Sequence, residues 1–321
     1  MNHLQMQPYH DLLSRILAEG VRQPNRTGID TLTVPGAMLR FDLREGYPAL
    51  TTKKLFFDAM KGELLGFFRG YDNAADFRAL NCRIWDANAN ETQSWVESEF
   101  RKGVDDLGRI YGQQWTRWAD WREIPSTQRD AYLARGYREV ALDPVRGVAV
   151  MHREMNQLED ALRKILTNPF DRRIIVNGWR PDEFDRMALP PCHVLYQFLP
   201  HTESKTLHMV MFQRSVDSAL GLPFNCASAA LMLALFARMT GYTAGTLTMF
   251  LADCHIYENH IEGVREMLTR EHYAPPQLEL SQRIGKVSAD EVAGALARIE
   301  PEDIRLVNYQ HHAPIKLAMA A

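Results

Sequence analysis

The sequence predicts an α/β chain of the α+β layered kind, a mixed β-sheet flanked by helices. Runs with apolar residues at helical spacing are interleaved with short β-branched and aromatic runs, and strict βαβ alternation is absent. The chain is 321 residues long, 46% hydrophobic and 24% charged, which supplies a sizeable core without covalent staples. Its longest apolar stretch, Ala227 to Ala237, is too short to span a bilayer and reads as a buried helix.

The elements follow in order. An opening helix is expected near Asp11 to Glu19, with Leu12, Leu13, Ile16 and Leu17 on one face and Gly20 as its stop. Alternation through Thr31–Val34 and Met38–Phe41 predicts two strands broken at Pro35-Gly36. Phe57 to Phe68 reads as a helix, with Glu63 beside its apolar stripe and Gly70 after it. From Thr116 to about Met151 the chain is rich in Arg, Asp, Glu and Trp with weak periodicity. This segment, 116–151, reads as a surface insertion with some helix, or as disorder, within a single domain spanning 1–321. A helix over Asn156–Leu166 stops at Asn168-Pro169. Strands are expected at Ile174–Val176, Val194–Leu199, Leu207–Phe212 and Thr246–Ala252, and helices at Ala227–Met239 and Tyr257–Thr269.

Composition narrows the function. The net charge is −3, and no basic run or tail appears, which argues against a nucleic-acid coat or an anionic-membrane binder. Cys82, Cys192, Cys226 and Cys254 lie far apart without CxxC spacing, so neither a metal site nor a disulfide framework is expected. Met1 to Gln7 is polar, unlike a signal peptide, and a cytoplasmic protein is the expectation.

Leu189-Pro190-Pro191-Cys192-His193 is the most informative segment. Two prolines fix the backbone and remove two amide donors, and the strand-like run Val194–Leu199 follows directly. Cys192 therefore sits where a rigid turn enters a strand. That position suits a nucleophile, although burial alone would make a lone cysteine a core residue. Arg26, Arg172, Arg173 and Arg214-Ser215 lie at element ends, where guanidinium forks and a hydroxyl hold phosphate well. Asp217 and Asn225 flank the turn Leu220-Gly221-Leu222-Pro223-Phe224. Asn225 is either the N-cap of the following helix or an amide that reads the N3–H and O4 edge of a pyrimidine. His255 and Tyr257 alternate on an extended segment, face one side, and suit a sugar hydroxyl.

These residues fall in segments that resemble the thymidylate synthase family. The matching stretches are Arg26-Thr27-Gly28, Leu50–Lys54, Gly62–Leu65, Ile84-Trp85-Asp86, Asp106–Gly108 with Tyr111-Gly112, Asp171–Val176, Met187–His193, Gln213–Asn225, Asp253–His260 and the tail from Ile315. They cover essentially the whole chain in the family's order. The resemblance implies a thymidylate synthase-like fold whose sheets pack across a homodimer interface. It implies reductive methylation of dUMP to dTMP with 5,10-methylenetetrahydrofolate as co-substrate and no metal. Cys192 would attack C6 of the uracil, Asn225 and water would meet the charge on O4, and Glu63 would relay protons. Tyr111 and His193 would support the nucleophile. Arg26, Arg214 and Ser215 would clamp the phosphate, Arg172 and Arg173 would reach the neighbouring subunit's site, and His255 and Tyr257 would bind the ribose. Asp217 would serve both ligands, with Trp85, Gly221 and Ala320 on the folate side.

The chain departs from the family pattern in four places. Phe56 stands where His is usual, Arg180 where Asn is typical, Ala252 where Gly is typical, and Ala321 ends the chain in place of a bulkier residue. A dUMP hydroxymethylase, in which water captures the methylene in place of hydride, is the alternative within the fold. A non-catalytic nucleotide- or RNA-binding protein is the alternative outside it, and Cys192 and Glu63 argue against that one, since binding needs neither.

Overall fold

The structure, a computed structural model, describes residues 5–318. Helix α1 (Gln7–Glu19) opens the chain and buries Leu12, Leu13 and Ile16. It starts one turn before the expected Asp11, because Pro8 occupies the first turn, where a missing N–H costs no helical bond. Gly20 ends it at a close approach: a Cβ there would lie 2.3 Å from the Ile16 carbonyl oxygen.

Strand β1 (Val21–Gln23) pairs with β2 (Thr31–Asp42). The latter is one continuous strand where two were expected. Its register against β9 (Thr243–Tyr257) runs unshifted past Pro35-Gly36, from Thr31↔Tyr257 to Asp42↔Thr246. Beyond Thr33 the side of β2 away from β9 has no strand partner among the described residues, and such an edge tolerates proline. Helix α2 (Phe57–Phe68) agrees with its sequence pattern. The short helices α3 (Ala74–Ala79), α4 (Asp86–Asn90), α5 (Gln93–Val96) and α6 (Tyr111–Thr116) lead to the insertion.

The insertion is neither disordered nor mainly helical. Strands β3 (Trp118–Pro125), β4 (Arg138–Asp143) and β5 (Val148–Met155) form an antiparallel sheet in the order β3-β5-β4, with one short helix, α7 (Arg129–Leu133), between β3 and β4. It buries a small core of its own from Ile124, Tyr137, Ala149 and Met151. The alternation was hidden because charged side chains also occupy the covered face. Buried Asp120 accepts a 2.6 Å hydrogen bond from Tyr137 and pairs with Arg122 and Arg153.

After α8 (Gln157–Thr167), capped by Asn156, come β6 (Ile175–Asn177), β7 (His193–His201) and β8 (Thr206–Asp217). The main sheet is ordered β1-β2-β9-β8-β7-β6. Only β8 and β9 run parallel, so the sheet is mixed, as expected. A parallel pair needs a crossover. Here it is α9 (Leu222–Thr240), a helix longer than the apolar stretch suggested, with Pro223 in its first turn and Gly241 closing it at φ +76°. By length and composition α9 is apolar enough to cross a membrane, but 78% of that stretch is buried inside the protein. Helix α10 (Ile261–Leu268) and the hairpin of β10 (Gln277–Leu280) with β11 (Ile304–Val307) complete the fold.

Large apolar side chains remain uncovered on the main sheet. Met38, Phe250 and Phe212 align across β2, β9 and β8 in register, and all three are exposed.

Candidate active site

The carboxyl ends of β8 and β9, the start of α9, one face of α2 and the turn before β7 enclose a cavity of about 480 Å³. Most of the residues singled out from the sequence meet there. Their placement follows from strand periodicity: Gln213, Ser215 and Asp217 alternate on β8 and face the cavity, while His255 and Tyr257 do the same on β9. Asp217 stands opposite His255 in the ladder, and the His255 and Tyr257 rings lie 5.2 Å apart, edge to face. Arg26 reaches the cavity from the loop between β1 and β2.

Cys192 lies immediately before β7, half-buried, whereas Cys82, Cys226 and Cys254 are buried. Burial pushes the Cys82 and Cys254 thiols up to about 12 and raises Cys226 further. The backbone around Cys192 is held from several sides. Its N–H donates to the Tyr111 hydroxyl at 2.7 Å, and its carbonyl accepts from the Arg214 N–H at 2.9 Å. The Arg214 guanidinium donates to the carbonyls of Pro191 (3.0 Å) and Pro190 (2.8 Å) and lies over the Trp179 ring. The Arg214 guanidinium thus engages the Pro190-Pro191 turn beside Cys192, and it is not among the side chains that line the cavity.

Glu63 is buried on α2 and accepts a 3.0 Å hydrogen bond from the Trp85 indole N–H. Burial raises its carboxyl to about 7, and the Trp85 bond offsets only part of that. Tyr111 stacks on Phe67 with ring centroids 5.0 Å apart, and burial holds its phenol well above the usual value. His193 is buried beside it, and its Nδ1 is 2.8 Å from the Tyr196 hydroxyl. Burial lowers the His193 imidazole to about 4, and the nearby Asn225 side chain offsets only a small part of that.

Asn225 does not cap α9. Gly221 does, and the Asn225 N–H already donates to the Gly221 carbonyl inside the first turn. The Asn225 Oδ1 instead accepts from the Gln213 amide at 2.9 Å, which fixes the orientation of a side chain that faces the cavity. Asp217 accepts from the N–H groups of Ala219 (3.1 Å) and Leu220 (3.0 Å), and Gly221 lines the same wall.

Two expected groups lie elsewhere. Arg172 and Arg173 precede the edge strand β6, outside this chain's cavity, and the Arg173 side chain is 85% exposed and paired with Asp171. Ala320 lies outside the described residues. Sequence reasoning gave no role to Gln213, Arg83 or Asn88, which also line the cavity. The period-two spacing of Gln213 with Ser215 and Asp217 carried a signal for the first. Of the other two, Arg83 lies in the loop before Trp85 and Asn88 on the short helix α4 after it, neither within a pattern of its own.

The arrangement joins a partly accessible thiol, a buried carboxyl poised near neutrality, and an oriented amide. It is equipped for nucleophilic addition coupled to proton transfer on a polar planar ligand. The thymidylate synthase family model matches residues 7–321. A curated thymidylate synthase of Bordetella parapertussis is 45% identical over 322 residues, covering 98% of this chain and all of the relative. One from Pseudomonas putida is 44% identical over 326 residues, with the same coverage. Another from Symbiobacterium thermophilum is 39% identical over 302 residues, 94% of this chain and 91% of its own length.

Proposed function

The chain belongs to the thymidylate synthase family, and on that premise we propose that it is the methyltransferase that converts dUMP to dTMP. The one-carbon and hydride donor is 5,10-methylenetetrahydrofolate, which leaves as dihydrofolate. The observation that carries this reading is the half-buried Cys192, tied by backbone bonds in the same cavity as Glu63 and Asn225.

In this reading the Cys192 thiolate adds to C6 of the uracil, forming a C–S bond and moving charge to O4 and C5. The Asn225 amide, oriented by Gln213, donates toward O4 as charge develops there. Glu63, raised to about 7, both gives and accepts protons near neutral pH, as relay through water at O4 demands. C5 then bonds to the folate methylene. Loss of the C5 proton, departure of tetrahydrofolate, hydride transfer to the exocyclic carbon and expulsion of Cys192 give dTMP. His193 and Tyr111 hold the nucleophile's surroundings. Arg26, Arg214 and Ser215 bind the phosphate, Arg214 also steadying the Pro190-Pro191 turn, and His255 and Tyr257 take the ribose hydroxyl. Trp85 and Gly221, with Ala320, serve the folate, and Asp217 serves both ligands.

The active unit is a homodimer of single-domain subunits working in the cytoplasm without nucleic acid. The exposed apolar row Met38–Phe250–Phe212 supports this, since burying such a face is favourable. In that dimer Arg172 and Arg173 reach the neighbouring subunit's phosphate. Incubation with dUMP and methylenetetrahydrofolate should raise dihydrofolate absorbance in step with dTMP. If 5-hydroxymethyl-dUMP forms with regeneration of tetrahydrofolate, the chain is a hydroxymethylase.

A further inference from the structure

His260 is fully buried at the start of α10 and belongs to none of the roles above. One ring nitrogen, Nε2, lies 2.6 Å from the Ala318 carbonyl oxygen. A carbonyl only accepts, so Nε2 carries a proton and donates it. The other nitrogen, Nδ1, has no hydrogen-bond partner among the described residues and faces Asp217 Oδ1 at 4.0 Å. The same Oδ1 accepts from the Ala219 and Leu220 N–H groups on the cavity wall. Around Ala318 the terminal segment is docked by further contacts. The His312 N–H donates to the Thr51 carbonyl at 2.8 Å, and Arg270 donates to the Ala313 carbonyl at 2.7 Å. Ile315 and Leu317 lie so close to α10 that a Cβ on Gly263 would fall 2.8 Å from Leu317.

We propose that His260 is a positioning residue whose imidazole couples the backbone of the terminal segment, at Ala318, to the Asp217 carboxylate on the cavity wall. The ring is rigid and enclosed, so a shift of Ala318 displaces the nitrogen that faces Asp217, and a ligand engaging Asp217 acts back on the segment by the same path. The inference deepens the proposed function, resting on Asp217 facing the folate, because it makes affinity for that co-substrate depend on a residue that never touches it.

The test uses three variants of the full chain. His260→Gln keeps a donor at the Nε2 position, His260→Asn keeps a polar group at the Nδ1 position, and His260→Ala removes both ring nitrogens. Amide hydrogen exchange in the ligand-free protein reads the two ends directly. In His260→Ala, exchange should quicken about tenfold both at residues 315–318 and at Ala219 and Leu220. His260→Gln should restore protection at the segment and His260→Asn at the cavity wall, each leaving the other end fast. With both substrates, KM for methylenetetrahydrofolate should rise about tenfold in His260→Ala while dUMP affinity stays within about twofold. Unchanged exchange at Ala219 and Leu220 while the segment loosens would overturn the coupling. So would a loss of dUMP affinity in step with the folate KM, which would mark a merely structural residue. If the unaltered protein fails to make dTMP, the functional reading fails, and the exchange measurements still decide the coupling.

Discussion

Glu63 gives the sharpest physical prediction, because its environment ties catalysis and stability to one proton. Burial moves this carboxyl from its ordinary 4.5 to about 7. Between those values the folded chain holds a proton that the unfolded chain has lost, so stability falls as pH rises through that window. Below 4.5 Glu63 costs nothing, and above 7 the full cost is reached, on the order of 3 kcal/mol. Glu63→Gln preserves a carbonyl acceptor for the Trp85 N–H and cannot ionise. The variant should lie within about 1 kcal/mol of the parent at pH 5 and exceed it by about 3 kcal/mol at pH 8, roughly 4–5 °C in Tm at fixed protein concentration. His10 and His193, each lowered to about 4 by burial, act in the opposite sense. Their stabilisation is present above 6.5 and lost as pH falls toward 4, and it cancels in the difference between the two proteins. Denaturant unfolding of both, without ligands, from pH 5 to 8.5 measures that difference. The same substitution should lower kcat by about 10²–10⁴-fold through loss of the relay. A pH-independent stability difference, or one that grows toward acid, would refute the burial argument.

Cys192→Ala should abolish turnover while leaving dUMP affinity within about threefold, and 5-fluoro-dUMP with the folate should label only Cys192 in the parent by mass spectrometry. A label on Cys82, Cys226 or Cys254, all buried, would contradict the assignment. Asn225→Asp should narrow the preference for dUMP over dCMP, because a carboxylate accepts from N4 and no longer donates to O4. Discrimination of this kind is worth a few kcal/mol, roughly 10²-fold or more in kcat/KM. Mixing Cys192→Ala with Arg173→Ala under conditions of subunit exchange should recover activity from composite sites, and none should return if the sites are not shared. Tyr137→Phe, which removes the 2.6 Å bond to buried Asp120, should cost the insertion about 1–3 kcal/mol and speed proteolysis within 118–155. Formation of dTMP should stay within twofold, and a parallel fall would tie the insertion to the site.

How much was legible depended on whether one period dominated a segment. α2 and α8 announced themselves because their buried residues, among them Met60, Leu64 and Leu65 in α2 and Leu158, Leu162 and Ile165 in α8, recur at helical spacing. The insertion did not, because Asp120 occupies a covered position that an apolar residue would normally mark. Pro35-Gly36 looked like a break because proline is rare inside a sheet, and only the pairing shows that β2 lies at an edge there. For the site, alternation was read for His255 and Tyr257 on β9, and the same period on β8 puts Ser215 and Asp217 in the cavity with them. The bonds from the Arg214 guanidinium to the Pro190 and Pro191 carbonyls could not be read from the sequence, because they join segments more than twenty residues apart.

Arg214 also explains how a chain with four cysteines makes one of them available. Pro190 and Pro191 have no N–H, so their carbonyls stand without the reciprocal donors that a strand would bring. The guanidinium of Arg214 supplies both missing donors at once, while its backbone N–H takes the Cys192 carbonyl and Tyr111 takes the Cys192 N–H. These four backbone polar groups of the turn are thus engaged without the thiol being drawn into the core. A turn satisfied in this way can stay at the cavity wall, where Cys82, Cys226 and Cys254 cannot follow, each being enclosed by its own helix, strand or loop. Replacing the guanidinium would strip the two proline carbonyls of their donors and loosen the turn that sets where the sulfur points, so a fall in reactivity at Cys192 need not report a lost contact with phosphate alone.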